Sequence, residues 1–166
     1  MVPKAAGSAP YTHAMSETKL IADNRRARFD YELIERVEAG MVLTGSEVKS
    51  AREGQVQLGQ SYVDIRDGEA WLVGASIAEY AAGGGTFAHE PGRDRKLLLH
   101  RNEIEALHSK VRERGLTLIP TRMYFRDGRA KLEFALARGR ERQDKRRVIA
   151  DREAKRQMER ALRRRR

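Results

Sequence analysis

The side chains able to do chemistry in this chain are its histidines, carboxylates and arginines. It has no cysteine, and so no thiol nucleophile, disulfide or thiolate-bound metal. The four histidines are His13, His89, His100 and His108. His89-Glu90-Pro91 begins like a zinc-protease signature, yet no second histidine follows one helical turn later and Pro91 breaks the helix that would carry it. His13, among the first residues, and His108, on a helical stripe, read as structural. Gly83-Gly84-Gly85-Thr86 has the glycines of a phosphate loop without the Lys-Ser/Thr pair that reaches the terminal phosphates, so it reads as a plain loop. The carboxylates are interleaved with basic residues, and no acid pair stands in an apolar setting that would split its pKa values. These residues lead to a binding protein rather than an enzyme, with no cofactor and no metal.

The arginines are more informative. Arg25-Arg26-x-Arg28 and Arg93-x-Arg95-Lys96 are compact basic clusters, and guanidinium groups clamp phosphates bidentately and stack on bases. The whole chain carries 34 Lys and Arg against 24 Asp and Glu, a net +10. Residues 139–166 hold 13 of the basic and 5 of the acidic residues, or +8, which leaves +2 for residues 1–138. The body therefore cannot bind a polyanion by bulk attraction and needs local patches, whereas the end of the chain can. Tyr31, Tyr62, Trp71, Tyr80, Tyr124 and Phe125 are available to stack on bases or to fill a core. A ribosomal or initiation-type OB-fold protein would share this composition. An RNA-processing enzyme would need an acid–base or metal constellation in addition.

At 166 residues, 40% hydrophobic and 35% charged, with a mean hydropathy of -0.71, the chain makes one domain of ordinary size and an appendage. Its longest apolar stretches, such as Leu97 to Leu99, fall far short of the roughly 20 residues of a membrane span. Met1 to Thr18 lacks the apolar segment of a secretory signal, and a cytoplasmic location is expected.

Those clusters need elements to hold them. Residues 1–20 read as a flexible leader. Phe29 to Val37 alternate as a strand that slips at Leu33-Ile34, a bulge signal, and Gly40 is expected to turn the chain. Thr44-Gly45-Ser46-Glu47 caps a short helix that Gly54 ends. Asp67-Gly68 and Asp127-Gly128 each sit between strand-like segments as hairpin turns. After the second, Ala130, Leu132, Phe134 and Leu136 face inward, and Lys131, Glu133 and Ala135 outward. Lys96 to His100 is a short strand. Asn102 to Arg114 is the one clear helix, capped by Asn102 with Glu105 and stopped by Gly115. The fold class is mainly β with α, a small OB-like barrel over residues 21–138. Residues 139–166 form a basic tail in which Ala150, Ala154, Met158 and Leu162 recur every four residues. It is expected to be disordered alone and helical against a partner.

Glu38-Ala39-Gly40, Thr44-Gly45-Ser46-Glu47-Val48-Lys49-Ser50, Gln60-Ser61-Tyr62, the run from His89 through Arg93-x-Arg95-Lys96-Leu97-Leu98-Leu99 to His100, Tyr124-Phe125, Leu136-Ala137-Arg138-Gly139 and Asp144-Lys145-Arg146 resemble, in order and spacing, the SsrA-binding (SmpB) family. The resemblance runs from about Ala22 to Leu162. It implies a barrel that binds transfer-messenger RNA (tmRNA) at its tRNA-like domain, as a monomer, and carries it to bacterial ribosomes stalled without a stop codon for trans-translation. It implies RNA contacts at Glu38, Leu98, His100 and Lys131. It also implies a tail that enters the mRNA channel and decoding centre of the small subunit through Gly139, Asp144, Lys145, Arg146, Ile149, Met158 and Leu162. Some members carry histidine where this chain has Gln143, and the run Arg163 to Arg166 is heavier than usual.

Overall fold

The computed structural model describes residues 17–80 and 88–164. His13, the glycine loop at 83–86, the last two arginines and the Gln143 side chain lie outside the described part.

In chain order the elements are β1 (Thr18–Asp23), α1 (Arg25–Asp30), β2 (Tyr31–Met41), α2 (Gly45–Arg52), β3 (Val56–Gln57), β4 (Tyr62–Arg66), β5 (Glu69–Val73), β6 (Ser76–Ile77), β7 (Arg95–Leu98), α3 (Arg101–Arg114), β8 (Thr117–Arg126), β9 (Arg129–Gly139) and α4 (Arg142–Arg164). The fold is mainly β with a few helices. Seven strands form one antiparallel sheet in the order β1-β8-β4-β5-β7-β2-β9, with β9 also paired to β8, and β3 pairs β6 separately. Both aspartate–glycine turns form as read: Asp67 and Gly68 have φ of 51° and 72°, Asp127 and Gly128 of 49° and 76°, the primed turn that matches strand twist. The bulge appears where the alternation slips, between Leu33 and Glu35 in the β2–β9 register, and turns Ile34 out to solvent. The main core is built from Leu72, Leu97, Met123, Leu132, Phe134 and Leu136 with Ile77 and Leu107, and a smaller cluster of Ala27, Ile119 and Ala137 is buried apart from it.

Several expectations give way. Thr18 to Leu20, placed in the leader, already pair with β8. The basic segment before the first long strand is helical, because Asn24 caps it. The Asn24 side chain accepts from the Ala27 N–H at 3.2 Å and donates to the carbonyls of Leu58 and Pro120 at 3.2 and 2.9 Å. Gly40 does not turn the chain but stays in β2, opposite Lys131 on one side and Leu98 on the other. The cap of α3 lies two residues earlier than read, at His100 rather than Asn102: Glu103, not Glu105, reaches back to the His100 N–H at 2.9 Å. His108 falls outside the buried stripe of Ile104 and Leu107. Ala135 is fully buried rather than outward. The tail, expected to be disordered alone and helical against a partner, has the helical form as α4, as its Arg, Lys, Glu and Ala content favours, with nearly all its described side chains exposed.

The largest departure concerns Arg93 and Arg95, read as phosphate ligands. Glu47, at the third helical position of α2, has no exposed side-chain surface, and neither has Arg95. Thr44 and Glu47 form the capping box, with the Thr44 N–H donating to Glu47 Oε2 at 2.8 Å. The same carboxylate accepts from Arg95 Nε at 2.9 Å and from Arg93 Nε and Nη2 at 2.8 and 2.5 Å. Arg95 spends its remaining donors on the carbonyls of Ala75, Pro91 and Arg93 at 2.9 to 3.0 Å. Beside it, His89 Nε2 lies 2.9 Å from the Ile77 carbonyl oxygen, which can only accept, so Nε2 carries a proton. Its Nδ1 meets the Ser46 hydroxyl at 2.9 Å.

Burial pushes the Glu47 carboxyl up, but the Arg93 hydrogen bond, the Thr44 N–H and the Arg95 charge outweigh it and hold the group below the ordinary carboxylate range. Removing one member of a buried pair strands the other, at a cost of about 3–5 kcal/mol. Glu47→Gln should therefore lower the unfolding free energy by about that amount, read from the urea midpoint. The deficit should be full above the ordinary carboxylate range and vanish as pH falls from there through Glu47's depressed value.

Candidate nucleic-acid interface

The outward face of β2, β9 and β8 is a lattice of charge. Strand alternation puts Arg36 and Glu38 of β2, Lys131 and Glu133 of β9, and Arg122, Tyr124 and Arg126 of β8 on this side. Glu38 stands directly opposite Glu133, an arrangement that destabilises a sheet unless each carboxylate has its own cations. Glu133 takes Arg122 at 2.7 Å, the Thr121 hydroxyl at 2.7 Å and Arg36 at 3.8 Å. Glu38 accepts from the Tyr124 hydroxyl and from Arg126 Nη1 at 2.9 Å, with Lys131 Nζ further off at 4.0 Å. Burial raises Glu133, and the hydrogen bonds from Arg122 and Thr121 bring it below the usual carboxylate range.

At the Glu38 end this lattice opens into a groove of about 880 Å³, lined by Glu38, Gly40, Lys96, Leu98, His100, Lys131 and neighbouring residues. Each wall has a cause. Gly40 has no side chain to fill the floor between Lys131 and Leu98, and a Cβ there would lie 3.4 Å from Leu98. Leu98 ends β7 with 54% of its surface exposed, an apolar platform next to cations. His100 is exposed at the mouth because it caps α3. Lys96 is tied to Glu69 at 2.5 Å. The groove can receive a planar or apolar group against Leu98, an anion at Lys131, and hydrogen-bond donors at Glu38.

About 30 Å away along β2, at some 3.3 Å per residue, α1 presents the other basic cluster. The Arg25 side chain is 92% exposed, and Arg25 and Arg28 each lie 3.7 Å from Asp23. Arg26 bonds Asp30 at 3.2 Å. Asp30 also roots the tail: Lys145 Nζ reaches its carboxylate at 3.0 Å and the Arg140 N–H its carbonyl at 2.9 Å. The Lys145 hydrogen bond holds the Asp30 carboxyl below its ordinary range. Gly139 ends β9 opposite Tyr31. Beyond Lys145, Asp144, Arg146 and Ile149 are exposed near the root, and Met158 and Leu162 are 69% and 68% exposed further out.

A family model described as "SmpB protein" matches residues 21–164. The chain belongs to the SmpB family. Among its relatives, the SsrA-binding protein of Thermobifida fusca (strain YX) is 58% identical over 148 residues, covering 89% of this chain and 92% of the relative. The SsrA-binding protein of Anaeromyxobacter dehalogenans (strain 2CP-C) is 52% identical over 162 residues, 98% of this chain and 96% of the relative. A solved chain from the structure described as "tmRNA-SmpB: a journey to the center of the bacterial ribosome" is 44% identical, with a TM-score of 0.61 over 77% of this chain and 93% of that one.

In this SmpB-family chain the four residues carried by the resemblance, Glu38, Leu98, His100 and Lys131, come together in one groove from three strands and the cap of α3, and Lys96 joins them. Arg93 and Arg95 do not: they turn inward to Glu47. Arg25, Arg26 and Arg28 form a separate patch. Sequence reasoning missed Tyr124 and Arg126 as the frame of Glu38. The signal was there, since a two-residue turn at Asp127-Gly128 sets Tyr124 opposite Lys131 and so on the same face. Among the described residues no group of three His, Asp or Glu is placed to hold a metal.

The Tyr124 hydroxyl is pushed up to about 12 by burial, by donating to Glu38 and by that residue's charge. Glu38→Gln removes the charge, so Tyr124 should ionise at lower pH in that variant. The difference between tyrosinate absorbance titrations with and without Tyr124→Phe isolates the step.

Proposed function

We propose that this SmpB-family chain is an RNA-binding adaptor that takes the tRNA-like domain of tmRNA in the groove and delivers it to stalled bacterial ribosomes for trans-translation. The convergence of Glu38, Leu98, His100 and Lys131 on one groove carries the reading. A carboxylate accepts from nucleobase amino groups or ribose hydroxyls, a leucine face supports an unstacked base, and a loosely paired lysine takes a phosphate. Those are demands of a folded RNA presenting unpaired nucleotides. A body of net +2 suits recognition by shape. The +8 tail suits a channel walled by ribosomal RNA, which α4 enters as a helix with Arg146, Ile149, Met158 and Leu162 forward.

The ring of pairings from β8 through β4, β5, β7 and β2 to β9 and back to β8 supports an OB-like barrel for the body. The domain division follows as a body through Gly139 and a tail beyond it, because Gly139 still pairs in the sheet. The protein is a binding module with no reaction of its own, working in the cytoplasm where ribosomes are. Among the described residues no helix is long and apolar enough to cross a membrane.

Removing residues 141–166 should leave binding of tRNA-like RNA in place and abolish peptide tagging on stalled ribosomes; equal loss of both would refute the division of labour. Lys131→Ala should weaken binding and make the dependence of log K on log salt shallower by about one phosphate contact. An unchanged slope in a filter-binding series would take Lys131 off the phosphate.

A further inference from the structure

Glu38 is the unexpected member of the groove, since an acidic side chain facing RNA gains nothing from bulk charge. It also stands across from Glu133, which would drive a free carboxylate away from the sheet. What keeps it in place comes from β8. Tyr124 donates its hydroxyl to one carboxylate oxygen, and Arg126 reaches the other at 2.9 Å. Arg126 in turn lies over the Tyr124 ring, 5.4 Å from its centroid, so each holder fixes the other. The Tyr124 ring is buried and β8 is paired on both sides, which makes the frame rigid. An ionised carboxylate offers about four acceptor sites. Tyr124 and Arg126 occupy two, and Lys131 at 4.0 Å leaves the rest open to the groove.

We propose that Tyr124 and Arg126 are positioning residues that hold the Glu38 carboxylate at one place in the groove, ready to accept from donors on an unpaired nucleotide. The inference rests on the reading that Glu38 meets RNA. Freezing a glutamate that is already fixed loses no rotamer freedom on binding, a saving of roughly threefold to tenfold in affinity. Tyr124 keeps its proton at every physiological pH, its hydroxyl lying at about 12, so the frame does not loosen with pH.

The test is a double-mutant cycle in the full chain, measuring the Kd for a transcript of the tRNA-like domain and, in parallel, for a random-sequence DNA duplex, which presents neither unpaired nucleotides nor 2′-hydroxyls. Tyr124→Phe keeps the ring and removes only the hydroxyl. The expected result is a loss of roughly threefold to tenfold for Glu38→Gln and for Tyr124→Phe, no further loss in the double variant, and binding of the DNA duplex unchanged. Arg126→Gln repeats the cycle from the other oxygen and should leave the salt slope unchanged. If Glu38→Gln binds as the wild type does, the groove reading of Glu38 itself fails. If Glu38→Gln weakens binding but Tyr124→Phe does not, or the two losses add, the positioning role is overturned and the groove reading stands. A shallower slope for Arg126→Gln would make it a phosphate ligand instead.

Discussion

Glu47 carries its charge with no access to water, and the chain can adopt this fold only where guanidinium groups meet that charge. The consequences spread outward. The capping box fixes the start of α2, Arg93 and Arg95 bind the same carboxylate from the far side of the chain, and Arg95 gathers three carbonyls from the segments around it. Arg95 is also the first residue of β7, so its placement sets the strand that presents Leu98 and, two residues on, the His100 cap of α3. Burying such a group gives little net stability, because desolvation offsets the attraction. The strand that Arg95 begins stands with this residue opposite Leu72 and with Leu97 opposite Met41 and Ala70, and the groove is built on that register.

The groove shows a second use of the same chemistry at the surface. Glu38 and Glu133 stand opposite each other and each is assigned its own cations, so the basic side chains of the outer sheet face, Arg36, Arg122, Arg126 and Lys131, are each set against a carboxylate. A polyanion approaching this face meets a pattern of small opposite charges, with Lys131 the least committed among them. Selectivity then depends on the match between donors, acceptors and shape, and the strong unselective attraction resides in α4.

How far the sequence speaks for itself depends on the range of the interaction. Asp67-Gly68, Asp127-Gly128, the Thr44–Glu47 cap and the slip at Leu33-Ile34 are local, and their residue types dictate the backbone within a few positions. The alternation after Asp127-Gly128 placed Lys131 and Glu133 correctly and failed at Ala135, which the sheet buries on the face that alternation assigns to solvent. Arginines defeat local reading altogether. Arg95 and Arg25 look alike in a basic cluster, yet Arg95 meets a carboxylate 48 residues earlier in the chain, and nothing near it announces the pairing. Asn24 hid the short helix α1 for the same reason: its cap is completed by the carbonyls of Leu58 and Pro120. The family motifs singled out Glu38, Leu98, His100 and Lys131, which the fold brings to one groove, because motifs retain information about distant neighbours that periodicity lacks.

Among the described residues the root of α4 rests on Asp30, whose carboxylate receives the Lys145 ammonium and whose backbone carbonyl receives the Arg140 N–H. From there 23 residues extend at about 1.5 Å each, a boom of some 35 Å. A rotation of about 10° at the base swings the far end by about 6 Å on simple geometry, nearly two stacked bases of a B-form duplex at about 3.4 Å apiece. Where the far end lies is thus decided at the near end, where the Asp30 contacts set the angle at which α4 leaves the body.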